Sequence, residues 1–91
     1  MLVLTRKPGE SVEIVQYGVT VKIDAAGDSV GGKFVRLSIN GEPTLELRKG
    51  DQLKIGDVVL CVAGFHHSKV KLGFDAPKGI KIMRTELAGA S

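Results

Sequence analysis

Residues 55–87 read IGDVVLCVAGFHHSKVKLGFDAPKGIKIMRTEL, and their pattern decides the fold. Apolar residues alternate with others in short runs broken by turn formers, the signature of half-buried strands. Val58, Leu60 and Val62 share one face, opposite Val59, Cys61 and Ala63. Val70, Leu72 and Phe74 share another, opposite Lys69, Lys71 and Gly73. Lys71 is therefore expected to face water or a partner. Gly73 gives up packing inside a strand, and so is expected to mark a close approach or a bend.

Outward from this stretch the same period of two recurs. Strands are expected at 2–6, 11–14, 19–24, 34–40, 44–47, 58–63, 69–74 and 80–84, with turns at Pro8-Gly9, 27–32, 40–43, 49–51, 56–57 and 76–79. So many runs leave little room for a helix, and the fold class is all-β. Only the end, TELAGAS at 85–91, has helical character, and Gly89 interrupts it. FVRLSINGEPTLELRKG (34–50) and KVKLGFDAPKGIKIMRT (69–85) echo one another. The echo reads either as a duplicated hairpin or as the ordinary look of hairpins linked through Pro and Gly.

A chain of 91 residues is one domain, or one lobe of an oligomer that shares stability with a partner subunit. The single Cys61 cannot form an internal bridge and reads as a small hydrophobe in or near the core. The apolar opening MLVL is followed by Arg6 and Lys7, the reverse of a secretory leader, and no run approaches a membrane span. A cytoplasmic location without a membrane partner is expected. The net charge of +3 arises in the later half: residues 1–48 hold six Lys or Arg against six Asp or Glu, and 49–91 hold seven against four. That mild excess permits nucleic-acid binding without requiring it.

Catalytic and metal motifs are missing from the pattern. His66-His67 point to opposite faces of a strand and have no Cys-x-x-Cys or carboxylate cluster nearby, so they read as a polar turn. Cys61 has no base at readable spacing. GDSVGG at 27–32 lacks the lysine of a phosphate loop. No cofactor, metal or catalytic residue is expected.

Two motifs at opposite ends carry a resemblance. Leu2, Leu4, Thr5, Arg6, Gly9 and Glu10 form the first; Gly56, Asp57, Gly64, Val70, Gly73, Ala76, Pro77, Lys78, Arg84 and Glu86 form the second. Together they resemble the carbon storage regulator family of bacterial translational regulators. The likeness covers a little over half of the chain and leaves 15–54 as a β-rich insertion within a single domain of residues 1–91. The resemblance implies a small intertwined homodimer of antiparallel sheets, the first strand of one chain pairing with the last strand of the other. Leu2 and Leu4 would then point into the shared core, and Thr5, Arg6 and Lys7 would emerge at the strand end. Extra strands would come from the insertion, and little or no C-terminal helix would remain.

The resemblance also implies a function: binding of GGA sequences in messenger RNA leaders, as single strands or hairpin loops, to regulate translation or message stability. Carried over by position, the RNA-contacting residues are Leu4, Thr5, Arg6 and Lys7 on one side, and Ala76, Pro77, Lys78, Ile80, Lys81, Ile82, Met83 and Arg84 on the other. Arginine heads suit phosphate oxygens or a guanine edge, and exposed strand backbone can read base edges. With one Tyr, three Phe and no Trp, recognition by stacking is the weaker scheme. DNA is not an expected partner. Two other classes stay open at this point. One is a protein-interaction module or antagonist that pairs with a standard family member without binding RNA, because an insertion over the groove would block it. The other is an enzyme.

Overall fold

The computed structural model describes residues 1–44 and 46–85. Nine strands and one turn of 3-10 helix follow in order: β1 Leu2–Arg6, β2 Ser11–Ile14, the 3-10 turn Val15–Tyr17, β3 Val19–Ser29, β4 Gly32–Ile39, β5 Glu42–Pro43, β6 Gln52–Ile55, β7 Val58–His66, β8 Lys69–Asp75 and β9 Ile82–Arg84. They form two antiparallel sheets, ordered β1-β8-β7-β6 and β5-β4-β3-β2-β9. The fold is all-β. The expectation about a C-terminal helix falls on residues 86–91, outside the described residues.

The alternation seen in the sequence becomes the core. Val12, Ile14, Val21, Ile23, Val35 and Leu37 from the five-stranded sheet meet Val58, Leu60, Val62, Val70, Leu72 and Phe74 from the four-stranded one, all at most 1% exposed. Burying such side chains contributes about 1.5–3 kcal/mol each, which is what holds the two sheets together. Lys71 is exposed, as its face required, and Gly73 is buried. A Cβ at Gly73 would sit 2.5 Å from Met1 Sδ and 2.9 Å from Cys61 Sγ, so the close approach expected there is real. His66 ends β7 opposite Lys69, and His67, with φ of 55°, opens the exposed two-residue turn that follows.

Within the chain β1 lies against β8, Leu2 opposite Phe74 and Arg6 opposite Val70, while β9 pairs with β2, Ile14 opposite Ile82 and Val12 opposite Arg84. Among the described residues the outer edges of β1 and β9 carry no strand. Two expectations need correction. Leu2 is 43% exposed and outside the core, at the start of the edge strand β1; Leu4 is half-buried and packs on the core. Arg6 does not emerge at the strand end but is 5% exposed.

Segment 15–54 is structurally continuous with the rest. It supplies β3 and β4, whose Val21, Ile23, Val35 and Leu37 are core residues with 0% exposure. The strand β6 was not anticipated: QLKI is short and stands between two turn signals, yet Leu53 and Ile55 alternate with Gln52 and Lys54.

Candidate nucleic-acid interface

The two terminal strands are outer strands of different sheets, and local chemistry brings them together. The chain turns from β1 to β2 at Lys7–Glu10. Gly9 takes φ of 92°, a left-handed backbone that suits glycine, and its N–H donates to the Ile23 carbonyl at 2.8 Å. The Glu10 carboxylate accepts from the Lys7 N–H at 2.9 Å and lies 3.8 Å from Arg6 Nε. Arg6 is folded back into this corner: its Nε donates to the Thr5 carbonyl at 3.0 Å and its guanidinium reaches the Ser11 carbonyl at 3.4 Å. Ser11 then shares a 2.7 Å hydroxyl–hydroxyl hydrogen bond with Thr85, the residue after Arg84. Ser11 thus bonds to both Arg6, through its carbonyl, and Thr85, through its hydroxyl.

The approach to β9 is held by Gln16, on the 3-10 turn. Its side-chain amide donates to the Gly79 carbonyl at 2.8 Å, and its carbonyl oxygen accepts from the Lys81 N–H at 2.7 Å. The Val15 N–H donates to the Lys81 carbonyl at 3.0 Å. Between β1 and this segment runs a groove of about 250 Å³ lined by Met1, Leu2, Phe74, Asp75, Ala76, Ile80 and Ile82. The Met1 ammonium lies 3.8 Å from the Asp75 carboxylate at its end, which offsets the one acid on the groove wall.

The expected contact residues separate into groups. Lys7, Lys78, Lys81 and Arg84 are exposed and, among the described residues, take part in no ion pair. Ala76, Ile80 and Ile82 line the groove, and Pro77 is exposed on the turn before it. Met83 is half-buried on β9. Leu4 and Thr5 are half-buried on β1 and do not line the groove. Arg6 is a buried strut of the corner.

Met1, Leu2, Phe74 and Asp75 as groove lining, and Ser11, Gln16 and Thr85 as positioning residues, were not visible in the sequence. Leu2 was singled out only by the resemblance, which placed it in the core. Across the described residues there is no cluster of three His, Cys, Asp or Glu side chains able to hold a metal ion, and no helix is long and apolar enough to cross a membrane.

Two antiparallel sheets whose outer strands β1 and β9 flank one groove define a small all-β protein. The chain belongs to the CsrA global regulator protein family, whose family model matches residues 43–90. It is similar to the translational regulator CsrA of Caldicellulosiruptor bescii, 48% identical over 44 residues that make up 47% of this chain and 56% of that protein. It is likewise similar to the translational regulator CsrA of Hydrogenovibrio crunogenus, 48% identical over 44 residues, 47% of this chain and 63% of the relative. The chain thus spans less than two thirds of the length of either relative. No solved structure matches it.

Proposed function

We propose that the protein binds messenger RNA in the groove between β1 and β9 and regulates translation by occupying message leaders. The observation that carries this reading is that two edge strands from opposite ends of the chain, β1 and β9, flank one groove, with Lys7, Lys78, Lys81 and Arg84 exposed on the segments that carry them. Cations around the rim neutralise phosphates, which positions an RNA loop without reading its sequence. Sequence is then read by backbone groups on the outer edges of β1 and β9 and by the Arg84 fork, whose donors match the acceptors on a guanine edge. The apolar floor of Leu2, Ala76, Ile80 and Ile82 accepts the flat face of an unstacked base.

The preferred target is an unpaired GGA displayed by a hairpin or single strand, and the action is binding rather than catalysis. A hairpin covering a ribosome-binding site would be shielded while bound, which represses translation. The test is an equilibrium titration of two hairpin RNAs, one with GGA in the loop and one with the loop scrambled, at two salt concentrations. The GGA hairpin is expected to bind more tightly. With three or four phosphates contacted, the logarithmic salt slope is expected near about −2 to −3. Equal binding of both loops rejects sequence reading. Absence of binding, together with co-purification of another member of the family, favours the protein-interaction reading instead.

A further inference from the structure

The ladders of the two sheets repeat one another residue for residue. In the first, Ser11, Val12, Glu13 and Ile14 stand opposite Lys22, Val21, Thr20 and Val19; in the second, Gln52, Leu53, Lys54 and Ile55 stand opposite Cys61, Leu60, Val59 and Val58. The next ladder continues the match. Ile23 opposite Leu37 is followed by a register shift before Ala25 opposite Arg36, and Val62 opposite Leu72 is followed by the same shift before Gly64 opposite Lys71. A β-bulge is a local device with its own position in a strand, and finding it at the same step of both ladders is not expected of unrelated hairpins.

The corners match as well. Gly9 and Gly50 have φ of 92° and 91°, and their N–H groups donate to Ile23 and Val62 at 2.8 and 2.9 Å. Glu10 accepts from the Lys7 N–H at 2.9 Å as Asp51 does from the Arg48 N–H at 2.8 Å. Arg6 sits opposite Val70, and its counterpart Leu47 sits opposite Val35. Each half thus lends its opening strand to the other half's sheet.

The family match fits this division. It begins at residue 43 and runs through the second half, while the opening motif MLVLTRKPGE lies wholly in the first.

We propose that the chain is an internal duplication: two family units in one polypeptide fold as a pseudo-twofold pair, complete without a second subunit, and carry one groove where a symmetric pair would carry two. This replaces the insertion of 15–54 by a first unit and the start of a second. The asymmetry lies at the junction. After Ile39 the chain turns at Asn40-Gly41, and Glu42–Pro43 folds back on Ser38 and Ile39. The stretch that would be the first unit's last strand serves instead as the second unit's first.

Consequently β2 is covered by β9, whereas β6, its counterpart, has no strand on its outer side among the described residues. The second groove lacks a wall. Its basic corner is also altered, since Leu47 stands in place of Arg6 and Arg48 is held by Glu46 at 2.7 Å.

The single-groove half of this proposal rests on the proposed RNA reading; the one-chain unit does not. The test is native mass spectrometry with light scattering at micromolar concentration, first of the protein alone and then with the GGA hairpin in excess. The expected results are a folded monomer of 9.7 kDa and a complex of one chain with one hairpin. A folded protein found only as a dimer overturns the one-chain unit. Two hairpins on one chain overturn the single groove. A monomer that binds no hairpin supports the duplication and rejects the RNA reading, so the two fail separately.

Discussion

Ser11 and Thr85, 74 positions apart, share a 2.7 Å hydrogen bond between their hydroxyls. This contact ties the start of β2, one residue beyond the basic corner of β1, to the end of β9, and so extends the β2–β9 ladder by one step beyond Val12 and Arg84. A half-buried hydroxyl pair contributes about 0.5–1.5 kcal/mol net. Replacing Ser11→Ala or Thr85→Val is expected to lower stability by about that amount. The double variant should lose less than the sum, because the second change removes a partner already missing. Urea unfolding of the four proteins checks it, and strict additivity counts against a direct coupling.

Arg84 is exposed and among the described residues has no ion-pair partner. Arg84→Ala is therefore expected to leave the melting temperature nearly unchanged while weakening binding of the GGA hairpin by about 1–3 kcal/mol, roughly 5- to 150-fold. Arg6→Ala, by contrast, removes a side chain that is 5% exposed and bonded to two carbonyls. It is expected to lower both stability and affinity. Melting curves and titrations of the two variants separate a contact from a strut.

How much of this was legible follows from what a sequence can carry. Period-two alternation is local, so the faces of Val58 to Val62 and Val70 to Phe74 were readable, and with them the class of fold. Partner choice between strands is not local. Nothing in LVLTR distinguishes pairing with KVKLGFD from pairing with IMR, and the first is what occurs. The burial of Arg6 was equally hidden, because it depends on Glu10 and Ser11 folding back across the Gly9 corner. QLKI was hidden because four residues between turns give too short a window for a period to register. The echo between 34–50 and 69–85 was visible, but its meaning became plain only when the register shifts of both ladders fell at the same step.

Gln16 holds the segment before β9 through two hydrogen bonds of 2.8 and 2.7 Å. Both are solvent-exposed, so Gln16→Ala is expected to change stability little. Freeing Lys78, Gly79 and Lys81 should nevertheless raise the ordering cost of binding, and a loss of affinity of several-fold is expected, on the order of 0.5–1.5 kcal/mol. Glu at position 16 keeps the acceptor for the Lys81 N–H but loses the donor to Gly79, and should be intermediate. Titrations of wild type, Gln16→Glu and Gln16→Ala give that order if Gln16 positions the loop.

Gly73 is packed under Met1 and Cys61, where an added Cβ would come within 2.5 and 2.9 Å of their sulfur atoms. The end of Met1 can swing away, but Cys61 is held in β7. Gly73→Ala is expected to destabilise by about 1–3 kcal/mol through overpacking and to displace Met1 from the groove it lines. Cys61→Ala in the same protein should restore part of the loss by making room. Thermal melts of the single and double variants test this; an unrescued double variant contradicts the packing explanation.

The position of the RNA on the molecule is measured by amide chemical-shift mapping of the isotope-labelled protein during titration with the GGA hairpin. The largest changes are expected together at Leu2 to Lys7 and at Lys78 to Thr85, with the hairpin turns around Gly31 and His67 unmoved. Changes centred on those turns, or on only one of the two terminal segments, would contradict a binding surface built where β1 and β9 meet.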